Sequence, residues 1–310
     1  DIMKYSFVLP AFKNDYLKEA IDSILSQSYK DFELIIIDDA SPYNLSSIIN
    51  QYDDKRISFY KNETNIGGRN LVHNWNKCLQ YAKGDYVILA SDDDIYCPCF
   101  LEQINDRSEK YPQVDIIRAR VCRIDSDGII TDIEQIYKPF MPFSEFVFYW
   151  SKGIINCIAN YAFKRTALLE AGGFVDMPCA WYSDDITIVN MSFNGIATTD
   201  DALFYFRTSD KSISWTFNKE TIRKKWKANG MFYQWFNDTI IPLMRTLPQN
   251  DIEILYQKNA IFNVRNRVKT MYSQLIARYP HSHFFEAIKM ITSVTILYKK
   301  EKVHLFIDYL

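Results

Sequence analysis

Paired cysteines, long apolar runs, glycine-rich loops and a surplus of basic charge are all missing from this sequence of 310 residues. Its six cysteines, Cys78, Cys97, Cys99, Cys122, Cys157 and Cys179, are scattered with no C-x-x-C among them, so spacing supports neither a disulfide framework nor a zinc ribbon. Cys97 and Cys99 stand close together but lack the second pair that a zinc site needs. No stretch of about twenty apolar residues occurs, which excludes a membrane-spanning helix, and no secretory apolar segment precedes the first strand-like run. The expected setting is reduced and cytoplasmic, with any membrane contact peripheral. A net charge of −2 and a pI near 6.1 leave no basic field for nucleic acid. No G-x-G-x-x-G or long phosphate loop follows the first strand, which argues against a dehydrogenase and a nucleotidyltransferase.

What is present is an ordinary globular composition, 48% hydrophobic and 24% charged. Tyr5 to Leu9 is a short apolar run ending at Pro10, after which Leu17, Ala20, Ile21, Ile24 and Leu25 recur at helical spacing. Phe32 to Ile37 is continuously apolar and ends at Asp38 and Asp39, as a strand covered on both faces would. The rhythm repeats, with a helix over Leu45 to Tyr52, a strand over Ile57 to Tyr60 and a helix from Leu71 to Ala82 stopped by Gly84. Tyr86 to Ala90 then runs into Asp92, Asp93 and Asp94. Strands alternating with helices predict parallel βαβ units, whose ligands bind beyond the carboxyl ends of the strands, where both acidic clusters fall. Val114 to Ile124 and Ile129 to Ile133 flank the turn signal Asp125-Ser-Asp-Gly128, so the sheet is expected to become mixed. Further helices are predicted over Thr166 to Ala171 and Asp184 to Phe193, a late strand over Leu203 to Phe206, and helices from Lys219 onward.

Three adjacent aspartates at the tip of a buried strand repel one another unless a cation or hydrogen-bond donors stand by. Hard oxygen ligands suit Mg²⁺ or Mn²⁺; a solvated cluster capping the next helix is the competing reading.

Five blocks in order settle the direction: Phe7-Val-Leu-Pro-Ala-Phe-Lys-Asn14, Ile37-Asp-Asp-Ala-Ser41, Asn65-Ile-Gly-Gly-Arg-Asn70, Leu89-Ala-Ser-Asp-Asp-Asp94, and Gly172-Gly-Phe174 followed by Ser183-Asp-Asp-Ile186. Together they resemble an inverting family 2 glycosyltransferase of the GT-A fold, over roughly residues 4 to 215. The resemblance implies an α/β fold: a Rossmann-like mixed sheet flanked by helices. Residues 1–215 would form the catalytic domain, with nucleotide-sugar binding in 1–97 and acceptor binding in 98–215, and 216–310 a helical extension. It implies a UDP-sugar donor, a saccharide or lipid-linked acceptor, and a pathway that builds cell-surface polysaccharide or glycolipid.

By the same resemblance, Pro10, Ala11 and Phe12 line the base pocket, Asp39 bonds the base, and Asp38 is its less critical neighbour. A carboxylate that accepts from the N3 proton of uracil rejects bases lacking a donor there. Arg69, beside Asn70, would neutralise donor phosphate. Asp92 lies near the ribose and Asp93 binds the metal, while Ser91 stands where the family's D-x-D motif has its first aspartate. Asp185 is the catalytic base and Asp184 replaces the more usual Glu; both equally suit a helix start. Gly173, Asp184, Trp181 and Tyr182 would face the acceptor, the two aromatics either stacking on a sugar or serving as core. Arg207 and Lys211 would either offer charge to the diphosphate or belong to a plain surface loop near Ser209, a position where the family often has histidine, and His73 has no companion ligand. Arg223, Lys224, Lys225 and Lys227 among Trp226, Phe232, Tyr233, Trp235 and Phe236 suit an anionic bilayer surface, a dimer, or a helical cover. A pseudoenzyme that binds nucleotide sugars or glycans is the non-enzymatic alternative.

Overall fold

Strands buried on both faces need no polar alternation, and three such runs assemble beside a part-exposed edge strand in the computed structural model, which describes residues 4–208, 216–295 and 297–309. β1 (Tyr5–Ala11), β2 (Phe32–Asp38), β3 (Ile57–Lys61) and β4 (Tyr86–Leu89) pair in parallel in the order β3-β2-β1-β4. Their crossovers carry α1 (Leu17–Leu25), α2 (Ser46–Ile49) and α3 (Leu71–Leu79). The helix expected over Leu45 to Tyr52 is thus only one turn of α-helix, because its Ser, Asn and Ile residues hold helical backbone weakly. Ala11 is level with Asp38, and Val8 with Leu89, so the chain leaves β1, β2 and β4 at one end of the sheet.

The sheet becomes mixed beyond β4. β5 (Ile95–Tyr96) and α4 (Phe100–Lys110) lead to β6 (Ile116–Ile124), which forms the expected hairpin with β7 (Ile130–Ile133). β8 (Phe140–Met141) and α5 (Phe143–Lys152) follow. β9 (Tyr161–Lys164) lies antiparallel between β4 and β6. After α6 (Arg165–Glu170) and α7 (Ser183–Met191) comes β10 (Ile196–Arg207), parallel to β6. The predicted late strand is therefore only the end of a twelve-residue one, irregular between Thr198 and Phe204; exposed Asp200 and Asp201 hide it from a search for apolar runs.

The chain divides into two compact units, and the division is not a single cut. One holds Asp1–Phe146, Gly153–Asp176 and Ser183–Ser209; the other holds Val147–Lys152, Met177–Tyr182 and Asp210–Leu310. The second contains α8 (Lys219–Trp235), a π-helical turn over Phe236–Ile240, α9 (Ile241–Arg245), α10 (Asp251–Ala277), α11 (Phe284–Ser293) and α12 (Lys299–Tyr309). Asn218 and Asn250 cap α8 and α10, each accepting from the backbone N–H three residues on at 2.9 Å.

Aromatic burial explains why two upstream segments belong to the helical unit. Trp150 is enclosed near Phe232 and Phe236, and Tyr182 stacks on Phe232 at 4.1 Å. Such pairs contribute about 0.5 to 1.5 kcal/mol each beyond area burial. The same packing buries Trp226, Phe232 and Phe236 in the unit's interior. Lys225 is buried too, between the rings of Trp181 and Phe217. Arg223, Lys224 and Lys227 are exposed, and Tyr233 and Trp235 are half-buried. No helix among the described residues is long and apolar enough to cross a membrane.

Candidate active site

Three consecutive aspartates after β4 receive three different environments. Asp92 is buried, and its Oδ2 accepts from the backbone N–H groups of Phe12 and Lys13 at 2.8 and 2.7 Å. The loop beyond β1 is thereby fastened to the loop beyond β4. Burial raises the Asp92 carboxyl above its ordinary range, with these two bonds opposing the shift. Asp94 turns inward, taking the Ser91 hydroxyl and, at 2.9 Å, the backbone N–H of Arg207. Burial first, then the charge of Asp93, pushes it up to about 7.

Asp93, between them, keeps 21% of its side chain exposed and carries one ion pair, with the Lys13 ammonium at 3.2 Å. Burial works against the charge on Lys13, but Asp93 and Asp92 outweigh it and raise the Lys13 pKa. Asp93 is thus the member of the triplet placed to take a cation. Ser91 is not a spare ligand, because its hydroxyl is used on Asp94. Among the described residues no group of three His, Cys, Asp or Glu side chains gathers to cage an ion. The donor set fits an ion that takes one carboxylate from protein and the rest from substrate phosphates and water.

The tip of β2 organises the neighbouring wall. Asp38 accepts from Ser41 N–H at 2.8 Å and pairs with Lys61 at 3.2 Å. Asp39 Oδ1 accepts from Asn62 Nδ2 at 2.7 Å and Ile66 N–H at 2.9 Å, while Oδ2 accepts from Gly67 N–H at 2.7 Å. Each carboxylate oxygen has two acceptor positions, so Oδ1 is filled and Oδ2 retains one. A Cβ at Gly67 would stand 2.9 Å from Oδ2, and the glycine keeps that side clear. Pro10 and Ala11 end β1, with Phe12 beyond them 37% exposed; Ser41 Oγ holds the Phe12 carbonyl at 2.5 Å.

Arg69 is exposed at the end of the loop that Asp39 gathers, and Asn70 caps α3, accepting from His73 N–H at 2.9 Å while donating to Asp176 at 2.6 Å. His73 itself is exposed. Asn76, one turn further along α3, grips Phe174 at both its N–H (2.8 Å) and its carbonyl (2.9 Å). Gly173 has φ +87°, and a Cβ there would collide with the Asn76 amide. Replacing Gly173 by Ala is expected to cost about 1 to 3 kcal/mol, measured as a lower urea midpoint; an unchanged midpoint would contradict the fit described.

Asp184 and Asp185 lie in the first turn of α7, and Asp184 Oδ1 accepts from Asp185 N–H at 2.8 Å. Ile186, Ile188, Val189 and Met191 are buried, which makes α7 a core helix and fixes where the pair projects. Cys157 relates this pair to the triplet. Its thiol is raised well above the ordinary value by burial, then by the charges of Asp94 and Asp184 together. The two acidic motifs are about ninety residues apart in sequence, and Cys157, between them in the chain, is half-buried.

Other expectations change. Arg207 is buried and its guanidinium is occupied, donating to Asp93 O at 2.9 Å, Asp125 O and Ser126 O at 3.2 Å and Glu19 Oε2 at 2.6 Å, with Tyr16 against its face. It clamps loops together and is not placed as a diphosphate ligand. Tyr182 is core: Phe232 covers its ring, and its hydroxyl bonds Asn229 at 2.8 Å. Trp181 has the Lys225 ammonium 4.2 Å from its ring centroid, so a cation holds the face expected for a sugar. Burial lowers the Lys225 pKa. Ser209 and Lys211 lie outside the described residues. Sequence reasoning passed over Lys13, Asn62, Asn76 and Cys157; Lys13 stood inside a recognised block, and the other three gave no local signal.

Comparison with known proteins establishes the family and the fold. Residues 6–173, more than half of the chain, match the family described as glycosyl transferase family 2, and the chain belongs to that family. Asp184 and Asp185 lie beyond the matched stretch. The chain is 38% identical over 130 residues to the uncharacterized glycosyltransferase MJ1057 of Methanocaldococcus jannaschii, covering 41% of this chain and 42% of that protein. It is 38% identical over 94 residues to the GalNAc(5)-diNAcBac-PP-undecaprenol beta-1,3-glucosyltransferase of Campylobacter jejuni, 29% of this chain and 30% of that one. The match spans less than half the length of either relative. Among solved structures, S. aureus TarS 1-349 in complex with UDP-GlcNAc superposes with a TM-score of 0.67 at 14% identity, over 99% of this chain and 89% of that one. The mannosyltransferase PcManGT of Pyrobaculum calidifontis, in complex with GDP-Man and Mn²⁺, gives 0.55 at 14% identity, over 99% and 84%. The fold is that of the GT-A glycosyltransferases.

Proposed function

We propose that this chain is an inverting glycosyltransferase that moves a hexosyl or N-acetylhexosaminyl group from a UDP-sugar to an acceptor hydroxyl, with Mn²⁺ or Mg²⁺. The observation that carries the reading is Asp93, a part-exposed carboxylate at the tip of β4 held by the Lys13 ammonium at 3.2 Å, in a unit that also presents Asp184 and Asp185 in the first turn of α7. One cluster supplies a cation position and the other a base.

Asp93 would hold the metal in exchange for Lys13, and the ion would stabilise charge on the departing diphosphate. Arg69, exposed beside the donor loop, adds a cation for phosphate. Asp92 acts by fastening Phe12 and Lys13, which shapes the pocket for base and ribose. Asp185 takes the acceptor proton as that oxygen bonds C1 and the bond from C1 to the diphosphate breaks, so configuration inverts. Asp184 holds the turn that presents Asp185, and Gly173 lets the preceding loop lock onto α3. The acceptor is a saccharide or lipid-linked saccharide of a cell-surface glycan pathway, supported by the undecaprenol-linked substrate in the name of the Campylobacter relative; where a lipid carries it, the protein would work at a membrane surface.

Asp39 gives uridine selectivity through the open position on Oδ2. Calorimetry is expected to show UDP bound more tightly than GDP. Asp39→Asn should weaken UDP by about tenfold or more, the value of a hydrogen bond to a charged group. Equal affinities for UDP and GDP in the wild type would refute the uridine assignment.

A further inference from the structure

The helical unit has a cleft of its own, about 540 Å³, lined by residues of α8, the π-helical turn, α10 and the stretch at Ser293 to Thr295. That volume is within the ordinary range for small-ligand sites. Its floor is an aromatic pair, Trp226 and Tyr272, with ring centroids 4.4 Å apart.

Tyr272 is 3% exposed, yet its hydroxyl has no hydrogen-bond partner among the described residues. The oxygen itself is not sealed in the interior: it reaches the cleft, where a tyrosine hydroxyl takes its partner from whatever fills the space. Directly over that hydroxyl is Gly230, where a Cβ would stand 3.0 Å from the oxygen. Glycine inside a helix costs roughly 1 kcal/mol relative to alanine. Here it leaves the phenol open to the cleft.

The π-helical turn supplies the opposite wall. Pro242 has no N–H to give the carbonyl of Asp238 four residues earlier, and the backbone widens over Phe236–Ile240. Such turns recur at functional sites. Asn237 donates through Nδ2 to Tyr233 O at 2.8 Å, which leaves its amide oxygen as acceptor. Asp238 is exposed and contributes a carboxylate, and Gln234 and Lys227 complete the rim.

We propose that this cleft binds a saccharide, at a site separate from the donor machinery and built wholly within the helical unit. Sugar hydroxyls both donate and accept, matching a phenol donor, an amide oxygen and a carboxylate. A lipid tail would strand these polar groups, and a phosphate would meet Asp238 with Lys227 as its single cationic neighbour in the lining. The inference goes beyond the transferase reading and does not depend on it.

The test uses the full chain without nucleotide, titrated with maltotetraose and with chitotetraose, read by saturation-transfer NMR and calorimetry. At least one should bind, and Tyr272→Phe and Asp238→Asn should each weaken it about fivefold or more, the value of about one hydrogen bond. Gly230→Ala should do the same by crowding the phenol. Release of UDP from a donor by the variants should stay at the wild-type rate, which separates failure of this site from failure of the transferase reading. Asp238→Asn, at an exposed position, keeps the test informative where a buried variant unfolds. No binding of either oligosaccharide, binding unaltered in the Tyr272 and Asp238 variants, or tighter binding of inorganic phosphate would each overturn the proposal.

Discussion

Asp185→Asn is expected to lower sugar transfer by about 10² to 10⁴-fold, the usual contribution of a general base, while leaving UDP affinity near that of the wild type. The separation follows from how the chain is built. The wall proposed for the nucleotide is made by the ends of β1, β2 and β4, where Asp92 fastens Phe12 and Lys13 and Asp39 gathers Ile66 and Gly67. Asp185 is carried instead by α7, whose position is set by its own buried face. An amide at 185 preserves shape and removes basicity, so kcat should fall with little change in UDP binding. Asp184→Asn should be milder, since an amide oxygen can still accept from the N–H of residue 185. Transfer rates measured beside UDP calorimetry decide it: transfer by Asp185→Asn near the wild-type rate would end the assignment, and parallel loss of UDP affinity would make the residue structural.

Asp93→Ala should have an effect of similar size by a different route. Removing the carboxylate that takes the cation forfeits several kcal/mol of charge stabilisation at the departing diphosphate, roughly 10³-fold or more in rate. The loss should extend to slow donor hydrolysis, which needs no acceptor, and chelation should reproduce it in the wild-type chain. Lys13 is the informative control, because its ammonium occupies the cation position at Asp93. Lys13→Met should leave activity dependent on added divalent ion. Full hydrolysis by Asp93→Ala in the presence of chelator would remove the metal from the account.

How much of this was legible in the sequence depends on whether the signal was local. Parallel strands were, because burial on both faces writes an apolar run such as Leu34 to Ile37, and the acidic tips follow at once. The antiparallel insertion of β9 between β4 and β6 was not, since Tyr161–Lys164 is four residues long and gains its identity from its neighbours. Arg207 looked like a phosphate ligand because sequence gives charge but not direction, and its four acceptors come from α1, the loop after β4 and the β6–β7 turn. Tyr182 looked available for the same reason: Phe232, which covers it, is fifty residues downstream. Asp93 and its neighbours are identical in sequence, and only the partners brought by β1 and β10 give each a separate role.

The central claim is that this family 2 glycosyltransferase spends a UDP-sugar at a site built from Asp39, Asp93 and Asp185. A panel of UDP-, GDP- and dTDP-sugars, incubated with Mn²⁺ and scored for released nucleotide diphosphate, tests it most directly. The account predicts UDP release from at least one uridine donor, abolished in Asp93→Ala. Release confined to GDP-sugars, or UDP release that persists undiminished in Asp93→Ala, would contradict it.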